Sequence, residues 1–119
     1  EAVVASVTGP VHTPSTLLLG RWDAAGRLRF MARTAPLAAA ARRDVGALLQ
    51  PGGPDHPWTG RRFSAGWASR ELLEHRPVEP DLVVEYSGDT SVDEGRYRHP
   101  VRFLRVRDEL GPGQLPPFG

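Results

Sequence analysis

All 15 Lys and Arg positions in this 119-residue sequence are arginine, and five of them crowd one stretch. Arg96, Arg98, Arg102, Arg105 and Arg107 lie within 96–107, with His99 among them and no acid. Guanidinium groups pair with phosphate in a planar, two-pronged geometry, and a surface that follows a phosphate backbone needs several of them in reach. Tyr97 and Phe103 are interleaved. A second basic stripe, Arg27, Arg29 and Arg33, alternates with apolar residues, and Arg21 precedes it. If both stripes track phosphate, the contacting set is Arg27, Arg29, Arg33, Arg98, Arg102 and Arg105. The competing reading is solvated strand faces, with the 96–107 arginines paired to Asp89, Asp93 and Glu94. Net charge is only +1, so anion binding must rest on local clustering and not on bulk charge.

Other chemistries are closed. With no cysteine there is no disulfide framework, thiolate zinc site or cysteine nucleophile, which fits a reducing compartment. With no lysine there is no Schiff base, P-loop lysine or lysyl adduct. Asp89, Asp93 and Glu94 miss the EF-hand spacing, and His12, His56, His75 and His99 are dispersed, so no metal is expected. No Gly-x-Ser-x-Gly elbow, Gly-x-Gly-x-x-Gly loop or paired-carboxylate signature is present. Trp22, Trp58, Trp67, Phe63 and Tyr97 read as core or loop packing, with base stacking the alternative. Arg42-Arg43 reads as a solvated helix face.

These residues need elements to position them. The length suits one domain, and 39% apolar with 24% charged residues is ordinary for a globular chain. No apolar run nears the roughly 18 residues of a membrane span, and no N-terminal signal pattern is read. Ala2–Val7 and Thr16–Trp22 read as strands, with Leu17-Leu18-Leu19 implying burial on both faces of the second. Gly26 suits a left-handed hairpin position. Arg27–Arg33 alternates, placing Leu28, Phe30 and Ala32 inside and the arginines with Met31 outside. Val3, Leu18, Phe30 and Val84 are the expected buried markers. Leu37, Ala41, Val45, Leu48 and Leu49 share one helix face, with Thr34 as a candidate cap, Pro36 in the first turn and Pro51–Pro54 as the stop. Residues 51–70 read as a loop, Leu82–Tyr86 as a fourth strand and Gly88–Gly95 as a polar turn. Val101–Arg107 reads as a fifth strand whose mixed pattern a bulge would reconcile. Residues 111–119 read as an irregular tail. Three strands, a helix and two strands is the order of an OB-fold, so the expected class is mostly β: a five-stranded Greek-key barrel with one helix between strands 3 and 4.

The stretch Leu82-Val83-Val84-Glu85-Tyr86, then Thr90, then Gly95-Arg96-Tyr97-Arg98-His99-Pro100 and Val101 to Arg107 resembles the end of ATP-dependent DNA ligases. It is similar to the actinobacterial type and to the ligase component of bacterial end-joining enzymes. There a valine-valine-glutamate strand leads to a Gly-Arg-x-Arg-His-Pro turn and then to motif VI. Glu1-Ala2-Val3-Val4 resembles the family's passage out of motif V, and Leu17–Gly20, Gly26–Phe30 and Arg33-Thr34 resemble its second and third OB strands. The resemblance covers nearly the whole chain, and the joint order of the motifs is more specific than any one of them. Two departures stand out. Where many ligases read Arg-x-Asp-Lys, this chain reads Arg107-Asp108-Glu109-Leu110, so Arg107, with Arg105 nearby, is left to meet the ATP phosphates. The nucleotidyltransferase domain with its Lys-x-Asp-Gly motif has no counterpart in these residues.

The resemblance implies the C-terminal OB domain of such a ligase, with two duties. It would orient the ATP β,γ-phosphates through motif VI during enzyme adenylation, then close over nicked double-stranded DNA. ATP and magnesium would serve the parent enzyme, and a nucleotidyltransferase domain, in cis or on a separate chain, would be the partner. The setting implied is the bacterial cytoplasm at the nucleoid, in replication, repair and recombination. By itself the chain is expected to be inactive. The alternative is a free-standing OB module that binds single-stranded DNA or a protein; a small enzyme in its own right has no support in the residues.

Overall fold

The computed structural model describes residues 1–63, 74–88, 92–93, 96–97 and 99–118. Five main strands form the sheet: β1 (Ala2–Thr8), β2 (Thr16–Trp22), β3 (Leu28–Arg33), β5 (Val83–Ser87) and β8 (Arg102–Val106). Three two-residue strands join them: β4 (Arg76–Pro77), β6 (Val92–Asp93) and β7 (Arg96–Tyr97). The sheet order is β3-β2-β1-β5-β8 with β4 also on β1, every pairing antiparallel, while β6 and β7 form a separate ribbon. β6 lies in the stretch 88–95 read as a polar turn, and β7 follows it. The sheet is not closed into the expected barrel: one isolated parallel bridge, Thr34–Val101, links the residues that follow β3 and precede β8. There Val101 N–H donates to Arg33 O at 2.9 Å and Ala35 N–H to Val101 O at 2.8 Å.

The sheet is buried on both faces. Ala2, Val4, Val7, Leu17, Leu19, Met31, Ala32, Val84 and Val101 form the inner cluster, which the helical segment joins through Val45 and Leu49. Val3, Ala5, Leu18, Leu28 and Val83 form an outer cluster beneath Trp58 and Phe63. The Leu17-Leu18-Leu19 run is thus shared between two cores, as an unbroken apolar strand requires. The segment read as a loop, 51–70, supplies the two aromatic residues of the second core, Trp58 and Phe63.

Bulges set the faces. Between β2 and β3 the register slips, pairing Leu19 with Ala32 but Gly20 with Phe30. Met31 is the extra residue, and it sits with Ala32 in the inner cluster. The strict alternation expected for β3 is therefore broken: Leu28 is buried on the outer side, and Phe30 lies half-buried there against Trp58 and Phe63. Val3, Leu18 and Val84 are fully buried as expected. A second slip pairs Glu85 with Arg105 but Tyr86 with Phe103, leaving Leu104 unpaired and exposed. That bulge resolves the mixed fifth strand, with Phe103 and Val106 against the inner core. Gly26 takes the left-handed conformation (φ 80°) in the β2–β3 hairpin.

The helix α1 runs Ala39–Gly46, shorter than its apolar periodicity predicted. Thr34 does not cap it; its hydroxyl accepts the Leu17 N–H at 2.9 Å inside the sheet. Ala35 and Leu37 N–H groups are also spent on Val101 and Ser15 carbonyls, which keeps the chain extended until residue 38. At its end Gly46 sits against the His12 backbone, where a Cβ would come within 2.1 Å of the carbonyl oxygen. Leu48 faces solvent. Arg42, read as solvated, instead donates to the Thr13 and Pro14 carbonyls and ties the helix to the β1–β2 loop.

Candidate nucleic-acid interface

The parallel bridge decides which arginines meet. Thr34 and Val101 are both 1% exposed, so alternation turns their neighbours Arg33 and Arg102 away from the inner core. The end of β3 and the start of β8 thereby place Arg33 and Arg102 on the same outer side of the bridge. Arg102 is exposed and has no hydrogen-bond or ion-pair partner among the described residues. Arg33 is half-buried, its Nε 3.4 Å from Thr16 Oγ1, and desolvation lowers its pKa.

Arg105 extends this surface but shares it with acid. Its side chain is 63% exposed, and its Nε lies 3.0 Å from Glu85 Oε1. Arg107 is held by three carboxylates: Glu1 at 2.8 Å, Glu85 at 3.1 Å and Glu109. The Glu109 hydrogen bond, the Glu85 hydrogen bond and the nearby charges raise the Arg107 pKa. The arginines in turn hold the Glu85 and Glu109 carboxyls below the usual range, Arg105 first for Glu85 and Arg107 first for Glu109. The acids expected as partners, Asp89 and Glu94, lie outside the described residues, as does Arg98.

The bulge at Met31 removes Arg27 and Arg29 from the Arg33 face. Arg29 pairs across the ladder with Arg21, and both Arg27 (3.7 Å) and Arg29 (3.4 Å) reach Asp23 Oδ2. The Asp23 carboxyl, which also accepts the Ala25 and Arg27 amides, is lowered chiefly by the Arg27 amide. The stripe read from the sequence as one face is two sites.

The aromatic residues divide the same way. Trp58 is 1% exposed, its Nε1–H donating to Leu28 O at 2.9 Å, and Phe63 packs at 5.1 Å from it. Neither is a stacking platform. Trp22 packs at the margin of the outer cluster. Tyr97 meets Tyr86 edge-on at 5.6 Å, and burial pushes the Tyr86 phenol up to about 12, so it stays protonated. Trp67 lies outside the described residues.

Two histidines do unexpected structural work beside the outer core. His75 Nε2–H donates to Arg61 O at 2.6 Å, so its Nδ1 accepts the hydroxyl proton of fully buried Ser6 at 2.7 Å. Arg61 also lies over the Trp58 and Phe63 rings. Buried His56 accepts the Trp58 N–H on Nδ1 at 2.9 Å, which places its proton on Nε2, an atom with no hydrogen-bond partner among the described residues. Burial pushes the His56 pKa down; the Val78 and Ala5 carbonyls and Glu79 oppose this without reversing it, while His75 adds to it. The unfolded chain therefore takes up a proton here before the folded one. Stability is expected to be complete above about pH 6.5, the unperturbed histidine value, and to fall as pH drops below it towards the folded pKa. Urea titrations at stepped pH check this, with His56→Gln expected to flatten the profile.

Among the described residues no group of acids and histidines is placed to hold a metal ion, and no helix is long and apolar enough to cross a membrane. No family model and no curated protein sequence matches the chain. A crystal structure of the ligase domain from M. tuberculosis LigD does match in fold, with a TM-score of 0.67 and 16% identity over 97% of this chain. The chain spans 37% of that ligase domain.

Proposed function

We propose that this chain is an OB-type, duplex-DNA-binding module of an ATP-dependent DNA ligase. The observation that carries the reading is the parallel bridge Thr34–Val101, which joins the end of β3 to the start of β8 and leaves Arg33 and Arg102 diagonally across it, both turned from the inner core. The strand order, the helix following β3 and the fold likeness to part of a ligase domain support the OB reading. The basic surface supports backbone contact, since an arginine cluster with no aromatic platform beside it among the described residues suits phosphates better than unstacked bases.

The nucleotide-accepting lysine, ATP and magnesium belong in this reading to a nucleotidyltransferase domain. Arg107 and Arg105 would meet the ATP phosphates there. Arg107 must then exchange its three carboxylates for phosphate oxygens. Ion pairs at a partly exposed side chain contribute little net stability, so a polyphosphate presented by the partner domain can compete for it.

Binding of a short nicked duplex across a salt series tests the DNA reading. With three to five phosphates engaged, the slope of log affinity against log salt is expected near −3 to −4, from roughly −0.9 per phosphate. Arg33→Ala and Arg102→Ala should each weaken binding and lower the slope by about one unit, while Arg43→Ala on the exposed helix face should not. Preference for single strands with a shallow slope would favour a free-standing single-strand module instead.

A further inference from the structure

We propose that residues 111–118 form a strap that covers an anion site at Arg29 and competes with phosphate for it; the duplex reading above enters only as the identity of the natural polyanion. The strap begins as a 3-10 turn, Pro112–Gln114, closed by the Gly111 N–H on Gln114 Oε1 at 2.7 Å. Leu115 packs against the outer core, and Phe118 reaches the inner one. Phe118 N–H donates to Trp22 O at 3.0 Å, and the Arg29 guanidinium lies over the Phe118 ring, 5.0 Å from its centroid. So the tail read as irregular is seated against the sheet.

What it covers is a concentration of positive charge. Arg21 and Arg29 stand directly opposite each other on β2 and β3, an arrangement that repels. Arg21 is turned onto the Glu1 carbonyl by two hydrogen bonds, of 2.8 and 2.6 Å. Arg29 has Asp23, which it shares with Arg27, and the face of Phe118. The Glu1 carboxylate is engaged by Arg107. Two guanidiniums, Arg27 and Arg29, thus share one carboxylate beside a third at Arg21, and the ring supplies what a second anion would supply more strongly.

The strap is also lightly held. Pro112, Pro116 and Pro117 have no N–H to donate, and the Phe118–Trp22 bond is its backbone bond to the sheet among the described residues. A cavity of about 370 Å3 remains between it and the sheet, lined by Val3, Arg21, Trp22, Asp23, Leu115 and Pro117. A single backbone bond to the sheet among the described residues suits a segment that opens locally, without global unfolding.

Inorganic pyrophosphate and a short nicked duplex, each titrated into the full chain, test the strap, with the Arg29 Nε–H resonance as readout. Phe118→Ala is expected to tighten pyrophosphate binding about two- to fivefold, the scale of one exposed cation–π contact, and to shift the Arg29 resonance on titration. Its duplex affinity should rise similarly and its salt slope steepen by about 0.9. Arg29→Ala should erase both gains in the Phe118→Ala background. Phe118→Leu, which keeps an apolar anchor without the ring face, should fall between, and it decides the matter if Phe118→Ala does not fold. A folded variant with no gain in pyrophosphate binding overturns the strap. A gain for pyrophosphate with none for duplex leaves the covered anion site standing and overturns the DNA reading.

Discussion

Trp58→Ala is expected to lower the unfolding free energy by about 3–5 kcal/mol, the usual cost of emptying a buried tryptophan site. The side chain is fully enclosed, touches Phe30 and Phe63 on the outer face of the sheet, and bonds the Leu28 carbonyl. Against a total of roughly 5–15 kcal/mol for a domain, that loss would leave much of the population unfolded at elevated temperature. Trp58→Phe retains most of the apolar contact and strands the Leu28 carbonyl, so about 1–3 kcal/mol is expected there. Urea unfolding of the three proteins measures both. The functional corollary separates core from interface: Trp58→Phe should leave the salt slope of duplex binding unchanged. A slope that collapsed with stability intact would mean that the indole meets nucleic acid after all.

The second large effect is all or none. Mixed with radiolabelled ATP and magnesium, the 119-residue chain is expected to acquire no stable AMP adduct and to seal no nick. Transfer of AMP to a lysyl nitrogen forms an N–P bond at the α-phosphate, expels pyrophosphate and leaves the amine proton with a base. The chain has no side-chain amine to begin that attack. Addition of a nucleotidyltransferase domain of the matching ligase type is expected to restore adenylation, with the label on that domain. Arg107→Ala should then lower the adenylation rate more than it lowers duplex affinity, since the half-buried Arg107 is engaged by three carboxylates while Arg102 is open. Label retained on this chain under denaturing conditions would overturn the division of labour. Equal losses of adenylation and duplex affinity in Arg107→Ala would assign that arginine to DNA.

Local signals in the chain carry far because they are redundant. The Leu17-Leu18-Leu19 run needs two cores wherever it is placed, and two cores are found on either side of β2. Gly26 is among the few residues that reach φ 80° without strain, so the β2–β3 hairpin was readable from its turn. The total absence of lysine closes lysyl chemistry whatever the fold.

Faces were less legible, since one inserted residue inverts them. A period-two pattern cannot say that Met31 and Leu104 are bulges, because the slip exists only in the pairing with β2 and β5. That slip moved Arg29 away from Arg33 and gave β8 its outward arginines. The helix start was misplaced for a related reason. Thr34 and Leu37 are spent on β2 and the β1–β2 loop, contacts between residues far apart in the chain, and these outweigh local capping preference.

The sequence alone determined the kinds of group present: arginines in two stripes, apolar strands, and no amine or thiol nucleophile. Only the tertiary structure decided which arginine is open, which is caged by Glu1, Glu85 and Glu109, and which lies over Phe118. A guanidinium's availability depends on the carboxylates and rings that folding brings within a few ångströms, and those partners are up to 106 residues away along the chain.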